Sequence, residues 1–88
     1  MSDALRRIDE LVDRDHDLPS PQVRQQLRIA AGLTQTQIAD AVGVKKLAVK
    51  RWESGKAEPR QPNRDVYAHL LRRLAEKHPT ATEAPNAG

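Results

Sequence analysis

Residues 33–53 read Leu-Thr-Gln-Thr-Gln-Ile-Ala-Asp-Ala-Val-Gly-Val-Lys-Lys-Leu-Ala-Val-Lys-Arg-Trp-Glu. The segment divides at Gly43. Before it, Ile38, Ala39 and Val42 fall at spacings of one, three and four, which marks a helix with one apolar stripe. After it, Val49 and Trp52, joined by Leu47 or Ala48, repeat the pattern less regularly. The spacing predicts a short helix opening at Thr34, a sharp turn at Gly43 and a second helix from about Lys46 to Glu53. A turn between crossing helices needs positive φ, which Gly adopts without the penalty of a Cβ. Ala39 is small where the two helices would come close.

The second helix is charged against its own dipole. Lys45 and Lys46 stand at its N-terminus, where positive charge is unfavourable and Ser, Thr or Asp would cap better. Lys50 and Arg51 follow one turn later, and no acid lies on that face before Glu53. Such a face is either simply solvated or meets negative charge from outside. Phosphates and base edges of DNA are the obvious source of that charge.

The flanks carry clear boundary signals. In Leu18-Pro19-Ser20-Pro21, the prolines stop any helix arriving from the left, while Ser20 as cap and Pro21 at the first helical position start a new one. This helix runs to about Ala31, burying Val23, Leu27 and Ala30 or Ala31, with Arg24 and Arg28 one turn apart and Gly32 ending it. Thr34 and Gln37 form a Thr-x-x-Gln capping box. Gln35 sits in the first turn, where exposed amides and a side-chain amide together hold a phosphate oxygen. After Glu53, residues 54–62 form a loop with Gly55, Pro59 and Pro62. Asn63 then caps a last helix with Val66, Tyr67, Leu70, Leu71 and Leu74 at helical spacing. That stripe reads as core, with Leu70, Leu71 and Leu74 generous enough to extend into a dimer seam.

In one register, Arg28, Gly32-Leu33-Thr34-Gln35, Ile38-Ala39, Val42-Gly43-Val44, Val49, Trp52-Glu53-Ser54-Gly55-Lys56 and Glu58-Pro59 resemble the Cro/C1-type (XRE-like) helix-turn-helix family of phage and bacterial DNA-binding regulators. The resemblance covers residues 22–75. It departs at Lys45, where the family usually has Ser or Thr. It implies an all-α, lambda-repressor-like bundle of four to five short helices, with the N-terminal helix of this chain as an addition. It also implies a sequence-specific transcriptional regulator, most readily a repressor, with double-stranded DNA as partner. Lys45, Lys46, Leu47, Lys50 and Arg51 would face the major groove. Lys46 and Arg51 are the best candidates for base edges, Arg51 suiting a bidentate contact with guanine. Leu47 either meets a thymine methyl or packs inward. Thr34, Gln35, Lys56 and Arg60 would hold phosphates, and Glu53 would pair with Arg28 in a partly buried salt bridge.

Composition agrees with this reading. The chain has 88 residues, enough for one domain with a small core, and Trp52 and Tyr67 are its only aromatics, so that core is aliphatic. It has no Cys and therefore no disulfide or thiolate metal site. No apolar run approaches membrane-spanning length, and acids stand where a signal peptide would be apolar. A soluble protein of the bacterial or phage-type nucleoid and cytoplasm is expected. The net charge of +3 is unevenly spread: residues 1–18 carry −3 and residues 19–60 carry +5. The basic charge thus concentrates on the motif, as a nucleic-acid footprint requires.

The ends divide from the centre. Residues 1–18 read as an acidic amphipathic helix to about Val12, with Leu5, Ile8, Leu11 and Val12 on one side and Ser2 or Asp3 as cap. Docking in cis, a homodimer contact and a half-ordered segment are all open to it, as is an acidic strip that competes with DNA for the basic face. Residues 19–78 form the helix-turn-helix domain, and residues 79–88, rich in Ala, Thr and Pro, read as a disordered tail. His16, His69 and His78 are widely spaced and fit no metal-ligand pattern, and no phosphate loop, nucleophile elbow or paired-carboxylate site appears. No cofactor, metal or enzyme activity is expected. The rival reading is a protein-interaction module, such as an antitoxin or adaptor, using the basic face and the Leu-rich last helix.

Overall fold

A computed structural model describes residues 3–8 and 18–82 of the chain. Residues 3–8 are helical and exposed (α1), with Leu5 and Ile8 each 54 % exposed. The remainder of the expected N-terminal helix, the Asp13–Asp17 segment with His16, and the tail from residue 83 lie outside the described residues.

From residue 18 on, most helix boundaries have a local cause. The Ser20 hydroxyl accepts from the Val23 amide at 3.3 Å and Pro21 opens α2 (Pro21–Ala30). Gly32, at φ +71°, turns the chain out of it. Thr34 Oγ1 accepts from the Gln37 amide at 3.0 Å, and Gln37 Oε1 accepts from the Thr34 amide at 2.8 Å. This reciprocal box opens α3 (Gln35–Val42). Gly43, at φ +89°, ends it, with its amide bonded to the Ala39 carbonyl at 2.8 Å. The next helix, α4 (Lys46–Ser54), begins after Lys45, whose side chain makes no capping hydrogen bond. The last, α5, spans Asn63–Lys77.

The core lies where α2, α3, α4 and α5 meet. Leu27, Ile38, Ala39, Val42, Val49, Tyr67, Ala68, Leu71 and Leu74 fill it, and the two aromatic rings, Trp52 and Tyr67, pack at a centroid distance of 4.7 Å with a 42° tilt. Val49 is fully buried, the commitment of α4's inner face to this core. Burying each Leu, Ile or Val side chain among them stabilises the domain by about 1.5–3 kcal/mol. The described residues contain helices and no strand, so the fold is all-α. Among them no helix is long and apolar enough to cross a membrane.

Four expectations are corrected. Asn63 does not cap α5: its first turn is served by Gln61, which accepts from the Asp65 amide at 3.3 Å and donates to Asp65 Oδ1 at 2.9 Å. Val66 is 45 % exposed rather than core, because the buried face of α5 runs through Tyr67, Leu71 and Leu74. Those leucines, with Leu70 packed against the core, are occupied within the chain rather than forming a free seam. Pro79–Thr82, expected in a disordered tail, forms a 3-10 helix that packs on α2 and α5 and brings Ala81 against the core. At the other boundary Leu18 is buried in the core.

Candidate nucleic-acid interface

The two faces of α4 differ in kind. Val49, Trp52 and Glu53 point inward, while Lys45, Lys46, Leu47, Lys50 and Arg51 are exposed around its N-terminal two turns. Among the described residues none of these four cations forms an ion pair or a side-chain hydrogen bond with another residue. Leu47, which had two readings in the sequence, is 52 % exposed and stands among the cations. The alternatives for that residue reduce to one: it faces outward.

The inner edge of α4 is organised around Glu53. Arg28 Nε donates to Glu53 Oε2 at 2.7 Å and Arg28 Nη2 donates to Glu53 Oε1 at 3.0 Å, a two-point pairing of guanidinium and carboxylate. Arg28 Nη1 also donates to the Leu33 carbonyl at 3.0 Å, which ties the α2–α3 connection into the same group. Gln35 Nε2 donates to Glu53 Oε1 at 3.1 Å. The residue expected on a phosphate is therefore also a partner of the buried acid. Its amide oxygen and second N–H stay available at the N-terminus of α3. Beside it an open depression is lined by Gln25, Gln35, Lys50, Glu53 and Ser54. Gln25 carries no signal in the sequence and Ser54 only its place in the family motif; the crossing of α2 and α4 brings both beside Gln35.

The remaining phosphate candidates lie at the start of α3 and in the loop after α4. Thr34 is exposed, its oxygen engaged by the Gln37 amide and its hydroxyl hydrogen left to donate. Lys56 and Arg60 are exposed in the loop that leaves α4. That loop starts at Gly55, φ +78°, and the Lys56 amide bonds to the Arg51 carbonyl at 3.0 Å.

Sequence reasoning set Arg24 beside Arg28 but gave it no partner. It is 4 % exposed, and its guanidinium reaches Glu58, the Trp52 carbonyl and the Pro19 carbonyl. Tyr67 lies beneath this charged layer. Burial pushes its phenol well above the ordinary range, Glu53 adds to the rise, and Arg24 and Arg28 partly oppose it.

A family model described as helix-turn-helix matches residues 25–77, more than half of the chain's length. No curated protein and no solved structure matches it. The match spans the end of α2, the α3–Gly43–α4 motif and α5, and with it the outward basic face and the Glu53 group. The chain accordingly belongs to the Cro/C1-type helix-turn-helix family of DNA-binding regulators.

Proposed function

We propose that the protein reads a specific duplex DNA sequence with α4 and acts as a transcriptional repressor. The observation that carries this reading is the outward face of α4: four cations and an exposed leucine, none of them used by the fold. Two cations at a helix N-terminus oppose the dipole, each unfavourable by about 0.3–1 kcal/mol, so their presence is better explained by an external anion than by stability. Lys46 and Arg51 are assigned to base edges, with Lys45, Leu47 and Lys50 beside them in the major groove. Thr34, Gln35, Lys56 and Arg60 are assigned to phosphates. Repression is preferred to activation because it requires only occupancy of a site overlapping a promoter.

The rival reading, a protein-interaction module, drew on the Leu-rich last helix, and Leu71 and Leu74 lie inside the core. It retains α1, whose Leu5 and Ile8 are exposed.

Selection of binding sites from random duplex DNA, with affinity followed against salt, tests the proposal. A single enriched motif is expected, and a palindrome with half-sites about one helical turn apart would report a homodimer. Arg51→Ala should weaken binding by about 1–3 kcal/mol and relax the preference at one position, whereas Gln35→Ala should weaken binding less and equally at all sequences. Uniform losses for both variants would overturn the division of roles. A steep salt slope with no enriched motif would reduce the basic face to nonspecific electrostatics.

A further inference from the structure

We propose that Arg24 and Glu58 are a positioning pair that holds the loop carrying Lys56 and Arg60 against the phosphate backbone; this rests on the DNA-binding reading above. Glu58 is the only acid between Glu53 and Asp65, and it lies two residues from Lys56 on one side and two from Arg60 on the other. An acid between two phosphate-binding cations should weaken the site by charge alone. Its partner supplies the reason for its presence.

Arg24 Nη2 donates to Glu58 Oε1 at 2.7 Å and Nη1 donates to Glu58 Oε2 at 3.0 Å. The same Nη1 donates to the Trp52 carbonyl at 3.0 Å, and Nε donates to the Pro19 carbonyl at 2.8 Å. Trp52 belongs to the last turn of α4, where carbonyls lack intrahelical partners and attract cations. One buried guanidinium therefore bonds both ends of the Trp52–Glu58 segment. Its planar fork fixes the direction of the carboxylate as well as its distance.

Between those anchors the chain turns at Gly55, whose missing Cβ would lie 3.5 Å from Pro21 Cγ of α2. Pro59, directly after Glu58, is buried. The loop is thus pinned at Trp52, Glu58 and Pro59, while the side chains of Lys56 and Arg60 are exposed and unpaired among the described residues. Glu58 itself is 52 % exposed at the rim, so it is available for substitution without opening the core.

Charge and position make opposite forecasts for Glu58→Gln. Removing one negative charge beside the phosphates should tighten binding, whereas releasing the loop should loosen it. On the selected duplex, with full-length protein, Glu58→Gln is expected to bind about 3- to 10-fold more weakly at low salt, with a salt slope smaller by about 1 and an unchanged base preference. In a Lys56→Ala/Arg60→Ala background the same substitution should change affinity by less than about 2-fold, because the pair acts through those two cations. Glu58→Asp keeps the charge but shortens the reach, and should weaken binding as Glu58→Gln does. Thermal melting of each variant separates these effects from a loss of folded protein.

Tighter or unchanged binding by Glu58→Gln, with wild-type binding intact, overturns the pair's role and leaves the DNA-binding reading standing. An equal loss in both backgrounds also overturns it, since a structural defect would not depend on Lys56 and Arg60. A wild-type chain that binds no duplex at all overturns the DNA-binding reading and the pair's role together.

Discussion

At the N-terminal end of α4, Lys45, Lys46, Lys50 and Arg51 stand in solvent with no acid paired to them among the described residues. At its C-terminal end, Glu53 is buried under Arg28 and Gln35, and the Trp52 carbonyl is held by Arg24. One helix of nine residues thus carries two kinds of charge. Those at the C-terminal end are desolvated and matched, so they fix where α4 sits on α2 and α3. Those at the N-terminal end are hydrated and unmatched, so they contribute nothing to that placement and remain free for an outside partner. The difference separates residues that orient the helix from residues that read with it.

The sharpest way to break the comparison is Arg28→Ala. It leaves Glu53, whose side chain is 4 % exposed, without its guanidinium, and a loss of about 3–5 kcal/mol is expected. For a domain of this size that is a large share of total stability, so melting followed by circular dichroism should show a fall of many degrees or an unfolded protein. A shift no larger than that of a surface substitution would show that the buried pairing is not what fixes α4.

A smaller effect of opposite sign is expected at the other end. Lys45 occupies the N-cap position with extended backbone, φ −80° and ψ 152°, and makes no capping bond. Lys45→Ser should supply that bond and relieve the helix dipole, stabilising the domain by about 1 kcal/mol while weakening DNA binding. Equal melting temperatures and equal affinities would remove the contrast between the two ends.

The smallest effect concerns Tyr67. Its folded-state phenol titrates above the ordinary value of about 10, so the neutral form is favoured by folding. The resulting stability is complete below about pH 10 and is lost as pH rises beyond it. The melting temperature of the wild type should therefore fall more steeply above pH 10 than that of Tyr67→Phe. Parallel curves would mean that Tyr67 ionisation is not what limits alkaline stability.

Much of this was legible in the sequence, for reasons that differ by residue. The Thr34–Gln37 box, Gly43 and the stripe of α3 are local patterns, readable within one or two turns. Arg28 and Glu53, 25 residues apart, were connected only through the family resemblance. Arg24 and Glu58, 34 residues apart, had neither aid, because their meeting depends on the path of the chain after Gly55. The start of α5 differs from expectation because Gln61, which has no standing as a cap by residue type, reaches both the amide and the carboxylate of Asp65 from outside the helix. The turn at Pro79–Thr82 was missed because its composition is that of a tail, and only the adjacent surface of α2 and α5 gives Ala81 something to pack against.

The exposed leucine and cations of α4 have a consequence for how such a protein changes over time. None of the five side chains from Lys45 to Arg51 that face outward forms an ion pair among the described residues or fills the core. They form an exchangeable lettering on a fixed support. New DNA preferences are accessible by replacing them one at a time, with the domain intact at every intermediate, and a relative's outward face should be transplantable onto this scaffold without repacking it.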